Sequence, residues 1–365
     1  MSFGKIRASY GTTGNDQIGD YKYLTTYSAY YIPYQGVSTL TPTALGNPYY
    51  GWEVNKKLEG GVDLGFLKDR IYLSADYFRN RSGNQLVGEP LTTVAGFTTV
   101  TANLPAVVQN TGIELTLNTK NIKTRSLTWT SSLNLTVPRN KLISFPGLAE
   151  NPNYQYFYSI GKPILGSHPS YHYTGVDPQT GLYTFQDLNG DGLIDYRDRQ
   201  FLKTPTQNYY GGFDNNFSYK GWTLDIFFQF VKQTGVNDAG AFFQAGEFNI
   251  NIPSAMQNAW KNPGDNASIQ RYTTSGGTAL TAARNFSGSD DNLTDASFIR
   301  LKNVQLAYSL PISWQQKMHV QNFRVFAQGQ NLLTITKYRG LDPENQSTAS
   351  LPPLRMITIG LEVGL

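Results

Sequence analysis

Cysteine is absent from the 365 residues, which excludes a disulfide framework and thiolate chemistry but names no compartment. Charge is scarce too: 15% of residues are Asp, Glu, Lys or Arg, against a usual ~25%. The net charge of +4 is spread along the chain without Lys/Arg blocks, so no nucleic-acid footprint is read. Long hydrophobic runs are missing. None approaches the roughly 18 apolar residues of a membrane-spanning helix, and 39% hydrophobic content is too low for a helical membrane protein. No basic-then-apolar leader follows Met1; residues 2–7 already read as a strand, which suggests a cytosolic chain or the C-terminal part of something longer. Length allows one large or two medium domains.

What the chain has in excess is 24 Tyr, 20 Phe and 35 Gly, a mixture that suits strands, turns and interfaces. Period-two alternation predicts about ten strands, near 3–12, 58–67, 70–82, 107–119, 125–137, 208–219, 222–234, 297–310, 322–333 and 354–365. Each has one apolar and one polar face. Leu64 opposes Asp63, Leu73 opposes Ser74, and Trp222, Leu224, Ile226, Phe228 and Phe230 oppose Thr223, Asp225 and Gln229. The closing strand places Ile357, Ile359, Leu361, Val363 and Leu365 on one side. Asn215 falls on the apolar side, and a change of parity between Leu301 and Val304 predicts a bulge.

Short turns near 67–70, 120–124, 219–222 and 311–321 alternate with long loops near 13–57, 83–106, 138–207, 235–296 and 334–353. That rhythm is the layout of an outer-membrane β-barrel, with the first strand running outward and the last inward. Aromatics at strand ends, among them Phe66, Tyr77, Trp129, Tyr219 and Trp222, would form interfacial girdles. A secreted β-sandwich or propeller would alternate as well, but with strands about half as long.

Several stretches resemble the SusC-like (SusC/RagA) TonB-dependent transporters of Bacteroidetes outer membranes: RASYGTTGNDQIGDY at 7–21, DLNGDGLID at 187–195, SFIRLKNV at 297–304, GQNLLT at 329–334 and YRGLDPE at 338–344. The resemblance implies an all-β chain supplying the C-terminal ten or so antiparallel strands of a 22-stranded transmembrane barrel, with the plug domain absent from 1–365. It further implies import of oligosaccharide or peptide across the outer membrane, with outer-membrane lipid around the wall and a SusD-like lipoprotein capping the mouth. The N-terminal plug and barrel portion would be further partners, and TonB-ExbB-ExbD would act through that plug. Ten strands cannot close a barrel of that width, so two edges would remain open. A passive porin or adhesin barrel and a secreted carbohydrate-binding or hydrolysing β-protein are the alternatives.

Two local patterns carry chemistry. Asp187, Asn189, Asp191, Leu193 (through its carbonyl), Asp195 and Asp198 have the spacing of a calcium loop, with Gly192 at its sixth position. Asp198 is shorter than the usual Glu and no helix pattern flanks the loop, so an Asp/Asn/Gly turn held by backbone hydrogen bonds is the competing reading. Aromatic loops, with Tyr30, Tyr31 and Tyr34 in the first and Tyr154, Tyr156 and Tyr158 in the third, suit stacking on sugars or peptides, or packing of the loops on themselves. No catalytic constellation stands out and the chain is not read as an enzyme. His168 and His172 are split by Pro169 and read as loop polarity, and Asp290 and Asp291 as a solvated loop.

Overall fold

The computed structural model describes residues 1–15, 23–49, 51–151, 153–164, 169–201, 203–237, 257–274, 276–347 and 350–364. Ten long strands form one antiparallel sheet in chain order: β1 Phe3–Asn15, β2 Glu53–Phe66, β3 Ile71–Gly83, β4 Val107–Lys123, β5 Leu127–Ser144, β6 Gln207–Tyr219, β7 Trp222–Val236, β8 Phe298–Ser309, β9 Asn322–Thr336 and β10 Met356–Gly364. Every strand expected from alternation is present.

Register explains why the alternation is so regular. Leu64, Leu73, Leu117, Leu133, Phe213, Phe228, Leu301 and Leu333 pair successively across β2 to β9. One residue along, Asp63, Ser74, Thr116, Asn134, Gly212, Gln229, Arg300 and Thr334 form a second row. Paired residues share a face and neighbours along a strand do not. The sheet therefore has one continuous apolar face and one polar face, and a slip of one residue in any strand would exchange them. Ile357, Ile359, Leu361 and Val363 extend the apolar face and are exposed; Leu365 lies outside the described residues.

Asn215 is in the apolar face and is buried there. Its Oδ1 accepts from Trp129 Nε1 (3.1 Å) and from Ser131 Oγ (2.7 Å), and Ser131 in turn accepts from Asn121 Nδ2 at 2.7 Å. Polar groups on this face thus satisfy one another. The expected bulge is also present: pairing skips Lys302, both against β7 and against β9.

The turns set the geometry of the two ends. Lys220 and Gly221 both have positive φ (46° and 86°), the two-residue hairpin conformation that matches strand twist. At 311–321 the link contains a short helix, Ile312–Lys317. Strands β4 and β5 are longer than the alternation predicts, 17 and 18 residues, because pairing continues past Pro138 to Ser144. Pairing of β5 with β6 stops at Thr136, so a residue without an N–H meets no partner strand on that side.

The long connections are structured rather than loose. Two carry hairpins, Thr26–Tyr34 with Val37–Ala44 and Gln85–Pro90 with Thr99–Leu104. A third carries the small pair Tyr173–Val176 and Tyr183–Phe185. The fourth contributes helix α1, Thr278–Ser287, whose buried residues Ala279, Ala282, Ala283 and Phe286 recur at helical spacing.

A loop-built cavity beside an arginine-tied mouth

Two of the long connections are joined into one body above the sheet. Ser170 exchanges backbone hydrogen bonds with Gln200, and Tyr171 donates to Gly288 O and accepts from Asp290 N. Phe286 of α1 stacks on Tyr183 with ring centroids 4.3 Å apart and meets Tyr173 edge-on at 5.2 Å. Burial pushes the Tyr183 hydroxyl up to about 12 and raises Tyr173 further. His172 Nδ1 lies 2.9 Å from Asp290 Oδ2, while Asp290 Oδ1 accepts from Tyr173 N. Asp290 is therefore buried and partnered, contrary to the solvated loop expected, because it must satisfy the inward-facing Tyr173 amide. His168 lies outside the described residues.

Between these connections opens a cavity of about 800 Å³, walled by Tyr156, Phe157, Tyr196, Arg199, Phe201 and Lys203, among others. Of the tyrosines marked by sequence, only Tyr156 reaches it. Tyr154 and Tyr158 pack instead with Phe145 beside Leu142 and Val108, filling the loop's own core. Tyr30, Tyr31 and Tyr34 stand exposed on the first hairpin. The sequence reading missed Tyr196 and Arg199, although both directly follow or overlap the 187–198 motif.

That motif orders the turn that carries them. Asp187 accepts from Gly190 N (2.7 Å) and Gly192 N (2.8 Å), and Asp191 accepts from Leu193 N (2.9 Å). Asp195 caps the short helical turn Tyr196–Asp198 and accepts from Arg197 N, while buried Asp198 accepts from Leu188 N and Asp195 N. Arg197 bridges Asp191 and Asp195, 2.7 Å from each. Its hydrogen bond holds the Asp195 carboxyl below the usual range; the Asp195 and Leu188 amides do the same for Asp198. In this arrangement the Asp187 and Asp191 oxygens accept from backbone amides, and Arg197 places a positive charge between Asp191 and Asp195. Among the described residues, no group of three or more His, Cys, Asp or Glu is placed to hold a metal.

A second polar centre ties the mouth of the sheet. Arg300, almost wholly buried, pairs with Asp342 and with Glu344 (2.5 Å), and its Nε donates to Thr334 Oγ1 at 3.0 Å. Gln233 Nε2 donates to Pro343 O at 2.6 Å, fastening the same 342–344 segment to β7. Three of the stretches that resemble SusC therefore meet here: Arg300 from 297–304, Thr334 from 329–334, and Asp342 with Glu344 from 338–344.

An open antiparallel sheet of ten long strands, apolar on one face and carrying its long connections at one end, is a portion of an outer-membrane-type β-barrel wall. Comparison with known proteins refines that class. The TonB-dependent receptor P3 of Formosa agariphila is 30% identical over 400 residues, covering 98% of this chain and 39% of that protein. SusC of Bacteroides thetaiotaomicron is 27% identical over 380 residues, covering 96% of this chain and 36% of SusC. The RagAB peptide transporter superposes with a TM-score of 0.81 at 25% identity, over 99% of this chain and 40% of that one; its open-open state gives 0.83. No family model matches the chain. The chain is SusC-like in sequence and fold, and it spans about two fifths of the length of the relatives it matches.

Proposed function

We propose that this chain forms the C-terminal part of the barrel of an outer-membrane transporter that imports oligosaccharide or peptide. The observation that carries the reading is the apolar face that runs across all ten strands, its few polar groups paired with one another, with the structured connections gathered at one end. In this reading the apolar face meets lipid and the polar face the lumen. The cavity and the arginine-tied mouth then lie on the extracellular side. Binding and gated passage suffice, with no covalent chemistry. Energy would come from TonB acting on a plug carried elsewhere in the transporter. A SusD-like lipoprotein is the partner expected over the long connections, and the relatives' names support that expectation.

Deletion of the gene tests the reading. A strain without it should lose growth on the imported oligomer as sole carbon source, and affinity-tagged protein should co-purify with a lipoprotein. Growth that persists unchanged on every oligosaccharide and peptide tried would overturn import. Uptake that survives collapse of the proton-motive force would instead favour a passive porin. Calcium enters this reading only as a competitor of Arg197. Titration of the wild type and of Asp191→Ala decides the point, and identical responses would remove calcium from the loop.

A further inference from the structure

Charge in the cavity is one-sided. Arg199 and Lys203 both line it, and among the described residues its walls contain no Asp or Glu. Neither cation forms an ion pair among the described residues. Arg199 is set over the Tyr171 ring, 4.8 Å from its centroid, a placement that fixes the side chain without neutralising it. The two remain available to a ligand's anionic groups in a chain where charged residues are few.

Polar capacity in the same walls is also unspent. Ser170 Oγ and Asn292 Oδ1 are buried and have no hydrogen-bond partner among the described residues, and both residues line the cavity. Buried polar atoms are normally partnered, so two orphans in one wall point to a partner that arrives from outside. Around them Tyr156, Phe157, Tyr196 and Phe201 offer flat apolar surfaces, and the volume of about 800 Å³ admits a ligand of several rings or residues.

We infer that this cavity is a binding site for a carboxylate-bearing oligomer, with Arg199 and Lys203 holding the carboxylates and the aromatic walls holding the adjoining apolar or ring faces. The 187–198 motif then has a role that needs no metal. It stiffens the turn from which Tyr196 and Arg199 project, through the Asp195 cap and the Arg197 bridge. The inference rests on the import reading only for the statement that the bound oligomer is cargo. Carboxylates of this kind occur in acidic peptides and in uronic-acid oligosaccharides, and the test separates them.

The experiment is calorimetric titration of the protein, purified in detergent as its own cells make it, with four probes: oligoglutamate, oligogalacturonate, and their neutral counterparts oligoglutamine and a neutral glucan oligomer. One acidic probe should bind at least about tenfold more tightly than its neutral counterpart, and salt should weaken it. Which acidic probe binds names the source of the carboxylate. Arg199→Gln and Lys203→Gln should each weaken the acidic probe about tenfold, the loss expected for one charge-assisted hydrogen bond, and leave neutral binding unchanged. Arg199→Lys should lose less than Arg199→Gln, which guards against mere misfolding. Equal affinity for acidic and neutral probes, or an unchanged Arg199→Gln Lys203→Gln double variant, would overturn the site. If the acidic probe binds but the deletion strain still imports it, the site stands and the import reading falls.

Discussion

Arg300 and Arg197 each face two carboxylates, yet they do different work. Arg300 has 2% of its side chain exposed, whereas Arg197 has 46%. The first ties a distant segment, 342–344, to β8, with Arg300 and Asp342 closed to solvent and Glu344 at the rim. The second links residues only two and six positions away, in open water. A buried ion pair is weak support when intact but severe damage when halved, while an exposed one is screened and replaceable. The same guanidinium chemistry therefore makes a structural knot in the wall and an adjustable clasp in the loop.

The largest effect should come from Arg300→Ala. Leaving Asp342 buried without its partner should cost about 3–5 kcal/mol, read as a lower denaturation midpoint of the detergent-solubilised protein. Arg300→Lys should recover little, because one ammonium cannot fork to Asp342, Glu344 and Thr334 together. Next is Phe286→Ala, which removes the ring stacked on Tyr183 and should cost about 3 kcal/mol. That loss should appear as faster hydrogen exchange in 170–185 and 278–290, with the ten-strand ladder unaffected.

A smaller, pH-dependent effect is expected at Asp295, held at about 2 first by its hydrogen bond from Lys232 and then by Ser297. A carboxyl lowered on folding stabilises above its unfolded pKa and loses that contribution as pH falls. Residues Leu293–Asp295 pair antiparallel with the end of β7; that tie should hold at neutral pH and weaken from about pH 4 towards pH 2, and Lys232→Met should flatten that dependence. Smallest of all is Arg197→Gln, which should leave the midpoint where it is. If it shifts the midpoint as far as Arg300→Ala does, the contrast between knot and clasp is wrong. The same variant should raise any calcium response of the loop, since it vacates the cation's place between Asp191 and Asp195.

The wall was legible because a barrel strand obeys one local rule throughout: side chains alternate with period two, and one face must be apolar. Even its exceptions, Asn215 and the Lys302 bulge, stood out as breaks in that rule. The mouth was legible only as resemblance. Nothing local says that Arg300 will reach Asp342 and Glu344, 42 and 44 positions on. Helix α1 left a signal, small or apolar residues at 279, 282, 283 and 286, that is easily lost in a chain otherwise read at period two. The cavity was least legible. Its aromatics were counted, but whether a tyrosine lines a wall or fills a core depends on tertiary placement, and Tyr156 parts from Tyr154 and Tyr158 on that ground alone. The calcium spacing drew attention to the right segment. It passed over Arg197, which bridges Asp191 and Asp195, and Arg199, which lines the cavity.

One detail of the wall has a consequence for depth. Interfacial tryptophans usually donate their indole N–H to lipid carbonyls or water and slide with the bilayer surface. Trp129 gives its N–H to Asn215 within the sheet and stacks on Phe217. Its height is therefore set by strand register, so its emission should shift as lipid chain length moves the bilayer surface past it, and should depend less on bilayer thickness in Asn215→Leu.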